Sequence, residues 1–253
     1  MTASAAQPRG PGITLTGTSI TRTRGITMMY EPALYRLLTW SSPGYPTGAF
    51  SYSHGLEWAV ETGSVTDVQG LLDYVTAVLS RGGGWIDAVL FAHAWPSASN
   101  NTELDTLAVL ASAFRGSSET ALESRQQGTA FLDVTRKAWP HPTLDAFAER
   151  NATAPVAHCI AVAVACAAHE IALVPALHSY LHAVAANLVS AGARLIPLGQ
   201  TQAQIAIARL APTITEITER ALSTTLDDLG TAAPAVELCS LRHETQYTRL
   251  FRS

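Results

Sequence analysis

The loop SSPGYPTGAFSYSHGLE (residues 41–57) contains the residues best suited to nucleophilic catalysis. Ser51 or Ser53 could act as a nucleophile, with His54 as the general base that activates it. Neighbouring serine and histidine residues do not by themselves make a triad, because a third group must orient the base. The sequence also lacks the G-x-S-x-G motif of a nucleophile elbow. A helical hydrolase that uses His54 with one of these serines is therefore kept only as an alternative hypothesis.

Some histidines and cysteines have spacings that suit a metal ion. His178 and His182 are four residues apart and share one helix face, but no glutamate follows His178 as it would in a zincin. A second group is close together in the sequence: His158, Cys159, Cys166 and His169. We interpret this second group as core cysteines and histidines at helix ends. We expect no cofactor and no stable metal site, and a nickel carrier that uses His178 and His182 is the other alternative.

The last residues, LRHETQYTRLFRS (241–253), are rich in side chains that anchor protein interfaces. Arginine and aromatic residues are enriched at the buried centres of such interfaces. The candidate partner-binding residues in this tail are Arg242, His243, Glu244, Tyr247, Arg249, Leu250, Phe251 and Arg252. Their spacing predicts that Tyr247, Leu250 and Phe251 share one side of a helix. We expect the tail to be mobile in the isolated chain, to order on a partner, and to be removable without loss of the fold.

Composition excludes several classes of protein. Charged residues make up 14% of the 253 residues, the net charge is −4, and Lys137 is the only lysine, so no basic stripe for nucleic acid is present. The longest apolar run, residues 160–168, is too short to span a bilayer and predicts a buried helix. Three cysteines without CxxC spacing fit a reducing cytoplasm. So little charge also favours burial of apolar surface against a partner or a second copy.

The elements that must position these residues are predicted to be helices throughout. In TDVQGLLDYVTAVLSRG (66–82), apolar residues recur every three or four positions after a capping Thr66 or Asp67. Similar patterns predict a helix over about 118–138 and two separate helices over 199–210 and 211–222. A first helix should begin near Pro32. The sequence therefore predicts an all-α fold of about ten helices in one domain.

The first residues have a different composition. Residues 1–27 are rich in Thr, Ser, Gly and Pro, which predicts a disordered extension, and Met28 or Met29 is an alternative start. The expected organisation is thus an extension (1–27), a helical domain (28–240) and an interaction tail (241–253).

Four segments, in this order, resemble one known family. They are GAFSYSHGLE (48–57), ESRQQGTAFL (123–132), RLIPLGQTQAQ (194–204) and RHETQYTRLFRS (242–253). Together they are similar to the motifs of the urease accessory protein UreF family. The resemblance runs from about Leu34 to Ser253.

The resemblance implies an all-helical protein that forms dimers and catalyses no reaction of its own. UreF-like proteins bind the accessory protein UreD (also called UreH) and the GTPase UreG, and together these act on the urease apoprotein to insert nickel. Their C-terminal tail orders against UreD. On this basis we interpret the loop as a packing or partner-contact surface rather than an active site. Its candidate residues are Phe50, Tyr52, His54 and Glu57.

Overall fold

The computed structural model describes Met1 and residues 27–253, with side chains from Pro32 onward. The extension expected over residues 1–27 falls almost wholly outside this part, so it stays a prediction. In the described part the chain forms α-helices and short 3₁₀ helices and no strand, which confirms the all-α class. No helix there is long and apolar enough to cross a membrane.

Eleven α-helices follow one another along the described chain. They are α1 (Thr27–Trp40), α2 (Leu56–Glu61), α3 (Val68–Arg81), α4 (Gly83–Ala94), α5 (Asn101–Ala113), α6 (Ser118–Ala138), α7 (Pro142–Arg150), α8 (His158–Ala168), α9 (Leu173–Leu195), α10 (Gln200–Ser223) and α11 (Pro234–His243). Short 3₁₀ helices cover Ala49–Ser51, Pro96–Ser99 and Leu226–Asp228. The capping residue of α3 is Asp67, whose carboxylate accepts from the backbone N–H of Gly70 at 2.8 Å.

Helix α8 lies at the centre of the core. Every residue from Cys159 to Cys166 is buried, which confirms the buried helix predicted from the apolar run. Helices α4, α6 and α9 pack around it. Because α8 is built largely from alanine and valine, its neighbours can approach closely on all sides.

Gly128 in α6 marks the tightest of these approaches. A Cβ atom at this position would lie 2.1 Å from the carbonyl oxygen of Val156, in the segment that leads into α8. A side chain there would force the backbone apart. The glycine of the motif at 123–132 is therefore required by the packing of α6 against α8.

Two helix boundaries differ from the sequence prediction, and both involve proline. Helix α10 runs unbroken through Pro212, so the prediction of two helices was wrong. Pro212 is exposed, and buried side chains on either side of it, Leu210 and Ile214, continue one apolar stripe. Packing along that stripe outweighs the loss of one backbone hydrogen bond. Helix α1 likewise begins at Thr27 and contains Pro32 rather than starting beside it.

The close approach at Gly128 predicts the result of adding one methyl group. We expect Gly128→Ala to lower the free energy of unfolding by about 1–3 kcal/mol, because the core must be forced apart. The matched control is Gly83→Ala in α4, where an added Cβ meets nothing within 4 Å. That variant should be neutral or stabilised by about 0.4–1 kcal/mol. Urea unfolding measures both, and equal midpoints for the two variants would contradict the proposed packing.

Candidate functional site

Backbone conformation fixes the path of the loop into α2. His54 has φ 54° and Gly55 has φ 75°, both in the left-handed region. A Cβ atom on Gly55 would lie 2.5 Å from the backbone nitrogen of Ser240, so the loop is pressed against α11. The hydroxyl of Tyr74 donates to the carbonyl of His54 at 2.7 Å and holds this turn in place.

Two aromatic residues of the loop, Phe50 and Tyr52, differ in their exposure to solvent. Phe50 is 65% exposed, whereas Tyr52 is only 2% exposed. The buried hydroxyl of Tyr52 donates to Oε1 of Gln126 in α6. Tyr52 therefore packs within the protein, and Phe50 is the aromatic residue that a partner can reach.

His54 faces a carboxylate rather than a serine. Its Nε2 lies 3.0 Å from Oε1 of Glu123, while Ser53 Oγ donates to the carbonyl of Ser253. Burial, the largest single influence, lowers the pKa of His54, but the combined attraction of Glu123 and Asp87 raises it above its ordinary value. The stability from this pair is fully present below about pH 6.5 and is lost as the pH rises through the raised pKa. Ser53 and His54 thus have separate structural partners.

The end of the chain folds back onto the loop. We call residues 244–253 the tail segment, because α11 extends to His243. The backbone N–H of Arg252 donates to the carbonyl of Ser51 at 2.7 Å, and that of Ser53 donates to the backbone oxygen of Ser253 at 2.6 Å. The structure places the segment against the loop through backbone pairing and burial. The mobility of the tail in the isolated chain stays a prediction.

Three buried glutamates receive the tail segment and the end of α11. Glu57, Glu119 and Glu123 are only 5–7% exposed. Glu57 accepts the backbone N–H groups of Leu250 at 2.7 Å and of Phe251 at 2.9 Å. Ser253 Oγ donates to Glu123 at 2.9 Å. We call this group the glutamate socket.

His243 bridges two carboxylates of the socket from a fully buried position. Its Nδ1 lies 2.7 Å from Glu119 and its Nε2 lies 3.1 Å from Glu57. Arg249 brings a guanidinium to the same site, with Nη1 2.7 Å from Glu119. These contacts offset the cost of burying the carboxylates.

The tail segment divides its side chains between the interior and the surface. Phe251 is 4% exposed and lies beneath the guanidinium of Arg194, 4.4 Å from Cζ to the ring centre. Leu250 is 74% exposed and Tyr247 fully so. The predicted shared helix face was wrong, because the segment is not helical and consecutive side chains point in opposite directions.

The remaining tail candidates differ in exposure. Arg242 and Arg252 are exposed, and Nη1 of Arg252 lies 3.4 Å from Oε1 of Gln126. Glu244 accepts the backbone N–H of Ser118 at 2.9 Å, which caps the first turn of α6. Buried candidates such as Glu57 and His243 support the surface from beneath, because a partner cannot reach them in this conformation.

A cavity of about 360 Å³, lined by both polar and apolar residues, lies behind the loop. Arg115 donates to Asp87 at 2.7 Å in its wall, and the hydroxyl of Tyr180 donates to the same carboxylate at 2.8 Å. Burial alone would raise the pKa of Asp87, but the attraction of Arg115 and the hydrogen bonds bring it below its usual range. His158 lies in the same wall, and burial lowers its pKa to about 4. The cavity is large and polar enough to hold ordered water.

Comparison with known proteins decides the family. The family model UreF matches residues 65–211. The chain is 52% identical over 225 residues to the urease accessory protein UreF of Granulibacter bethesdensis, covering 88% of this chain and 95% of that protein. It is 50% identical over 223 residues to the proteins of the same name from Rhodopseudomonas palustris (strain BisB5) and Bradyrhizobium diazoefficiens, covering 87% of this chain and 91% and 92% of theirs.

The chain belongs to the UreF family of urease accessory proteins. This is a family of accessory proteins and not of enzymes, which removes the hydrolase alternative. The family model itself covers neither the loop at 41–57 nor the tail segment. The matches to whole UreF proteins are longer and cover 87% and 88% of this chain.

The residues considered for metal binding are dispersed in this UreF-family structure. His178 Nε2 lies 3.4 Å from the hydroxyl of Thr215, and His182 is exposed on the same helix. Cys159 and Cys166 are buried in α8, where burial raises the pKa of each thiol. Among the residues that the structure describes, no group of three or more His, Cys, Asp or Glu is arranged to hold a metal ion.

Sequence reasoning named Glu57 but missed the two acids of α6, Glu119 and Glu123. Glu119 and Glu123 are one helical turn apart in α6, and Glu123 opens the motif at 123–132. Two acids on one helix face, in a chain with so few charges, are a signal from which buried partners could have been predicted. Gln126 and Arg194, which contact the loop and the tail segment, lie in the motifs at 123–132 and 194–204, but no charge pattern singles them out.

The bridge made by His243 predicts a large loss of stability on its removal. We expect His243→Ala to lower the free energy of unfolding by about 3–5 kcal/mol, because two buried carboxylates lose a shared partner. Its neighbour Arg242 is exposed, so Arg242→Ala should change the value by less than about 0.5 kcal/mol. Urea unfolding at neutral pH measures both. Equal effects would show that the socket does not depend on His243.

The lowered pKa of His158 predicts that the protein loses stability as the pH falls. Because its pKa is lowered to about 4, the folded state resists a proton that the unfolded chain accepts below about pH 6.5. Stability is therefore present above pH 6.5 and is lost as the pH falls, by up to about 1.4 kcal/mol per pH unit. Unfolding measured from pH 7 to pH 4.5 should show a shallower loss in His158→Gln than in the wild type. Parallel profiles would contradict the assignment.

Proposed function

We propose that this UreF-family protein is a cytoplasmic assembly factor for the urease metallocentre. In this role it bridges a UreD/UreH-like accessory protein and the UreG GTPase on the urease apoprotein, where nickel is the cargo. The observation that supports the proposal is the surface built by the loop and the docked tail segment. We call it the loop–tail surface, and it comprises Phe50, Tyr247, Leu250 and Arg252.

The two parts of this surface are held together by Arg194. Its Nη2 donates to the carbonyl of Phe50 at 2.9 Å, and its guanidinium covers the ring of Phe251. Arg194 therefore links the backbone of the loop at Phe50 to the tail segment at Phe251, the neighbour of the exposed Leu250. Large exposed apolar side chains beside arginine are typical of interface centres. Burial of each such side chain against a partner contributes roughly 1.5–3 kcal/mol.

The surface also suggests the chemistry of the partner. Arg252 is exposed on it, while the nearby acids Glu57, Glu119 and Glu123 are buried. A partner with apolar pockets and carboxylates at their rim would complement it through charge-assisted hydrogen bonds. We assign this partner to the UreD/UreH-like protein.

We further propose that the protein is a homodimer. Only 14% of its residues are charged, and α1 exposes Leu34, Tyr35 and Leu38 on one side. This face is distinct from the side of α1 that packs on the core through Leu37 and Trp40. A second copy that covers α1 would remove these side chains from water.

Alanine variants of the exposed residues test the proposed function. We expect the double variant Tyr247→Ala/Leu250→Ala to lose binding to the UreD/UreH-like protein by at least about tenfold, since two large side chains no longer become buried. Urease activation in cells should fall with it, while helix content stays unchanged. The matched control is Val109→Ala in α5, which is 70% exposed on another part of the chain. Normal binding and activation by the double variant would contradict the proposal.

A further inference from the structure

The cavity behind the loop opens to solvent on one side and has a polar inner wall. The exposed residues Ala113, Gly116 and Thr231 line it, so its mouth lies between the α5–α6 turn and the segment before α11. We propose that this cavity binds a small organic cation, an ammonium or guanidinium group on a short apolar body. The four residues of the loop–tail surface are not among those that line the cavity, so the inference goes beyond the proposed function.

The charged groups in the cavity wall leave an excess of negative charge. Asp87 is paired with Arg115 at 2.7 Å, and Glu123 lies 3.0 Å from His54. The remaining charged group is Glu237 of α11, whose carboxylate forms no ion pair with any residue that the structure describes. Each of the two pairs is neutral at most, so at least one negative charge stays uncompensated. An excess charge in a partly enclosed site attracts a ligand of the opposite sign.

Two uncharged side chains of the inner wall offer further acceptors. Gln127 is only 7% exposed, and its Nε2 donates to Glu123 at 2.8 Å, but its Oε1 has no hydrogen-bond partner among the described residues. The ring nitrogens of His158 also have no hydrogen-bond partner in that part of the chain. Because burial lowers the pKa of His158 to about 4, the ring is neutral near pH 7 and presents an acceptor nitrogen without repelling a cation. Buried acceptors of this kind favour a ligand that donates hydrogen bonds.

The rest of the wall suits the apolar body of such a ligand. Val78, Val184 and Val236 line the cavity, together with the aromatic side chains of Phe114 and Tyr180. Aromatic rings attract cations through the negative charge of their faces. The volume of about 360 Å³ lies at the lower end of the range for small-molecule sites, which is roughly 300–1,000 Å³. The cavity therefore fits a small amine better than a large cofactor.

Gly116 places the carboxylate of Glu237 at the mouth of the cavity. A Cβ atom at Gly116 would collide with this carboxylate, so the acid occupies the space that a side chain at 116 would fill. Two substitutions can therefore separate charge from position. Glu237→Gln removes the charge and keeps the shape, whereas Gly116→Ala keeps the charge and displaces the carboxylate. Both residues lie outside the buried core, so neither change should unfold the protein.

Titration of the full-length protein with n-butylammonium tests the site, with binding followed by the NMR shifts of backbone amides. We expect saturable binding with a Kd of about 1 mM or tighter and shifts at Gly116 and Thr231. The neutral analogue n-butanol and the anion butyrate should bind at least about tenfold more weakly. Glu237→Gln should weaken n-butylammonium binding by at least about tenfold, and Gly116→Ala should weaken it too. The matched control, Glu219→Gln, changes an exposed acid in α10 and should leave binding unchanged.

Three results would overturn the proposal. They are the absence of saturable n-butylammonium binding, equal affinity for n-butanol, and unchanged affinity in Glu237→Gln with the amide shifts of α8 intact. The proposed function does not enter this test, because the residues changed in Tyr247→Ala/Leu250→Ala lie outside the cavity. Either conclusion can therefore fail without the other.

Two sources can supply the cationic group, a free amine or the side chain of a lysine or arginine on a partner protein. Saturating n-butylammonium, added to binding assays with the UreD/UreH-like protein and with the UreG GTPase, distinguishes them. Competition with either protein would identify the cation as a side chain of that partner. Unchanged affinity for both would identify it as a free amine.

Discussion

The burial of three carboxylates in one place is the constraint on which the rest of this site depends. Glu57, Glu119 and Glu123 come from two helices, and an isolated buried carboxylate costs several kcal/mol. Their partners come from the loop, α11 and the tail segment, so no single element can satisfy them. The socket therefore forms only when these elements are all in place. This explains how an irregular loop and an irregular tail can share one defined surface.

This arrangement shows where some of the few charged residues of the chain are placed. Several of its few acidic and basic residues are used in the interior, in the socket and in the pair between Asp87 and Arg115. The surface is correspondingly apolar at Phe50, Tyr247 and Leu250. Charge that would ordinarily keep a protein soluble is here used to hold its parts together. Exposed apolar surface of this kind is typical of proteins that bind partners.

The local sequence pattern was enough to predict the helices. It could not predict contacts between residues that are far apart in the sequence. The helix predicted over about 118–138 is α6 (Ser118–Ala138), because the recurrence of apolar residues is a local signal. Pro212 misled the prediction, since a proline penalty is local but the packing that overrides it is not. The tail residue Leu250 donates its backbone N–H to Glu57, 193 positions earlier in the chain, and no spacing rule connects the two.

The features that first suggested catalysis have structural causes. His54 has a left-handed backbone and a raised pKa because it closes a turn against α11 and pairs with Glu123. His158 has a lowered pKa because it is buried beside a cavity. Perturbed titration and strained backbone cluster at active sites, but buried ion-pair networks produce both as well. In an accessory protein, the same physical chemistry that tunes an active site instead sets the shape of a surface, because fully paired buried charges permit only one arrangement of the loop and tail.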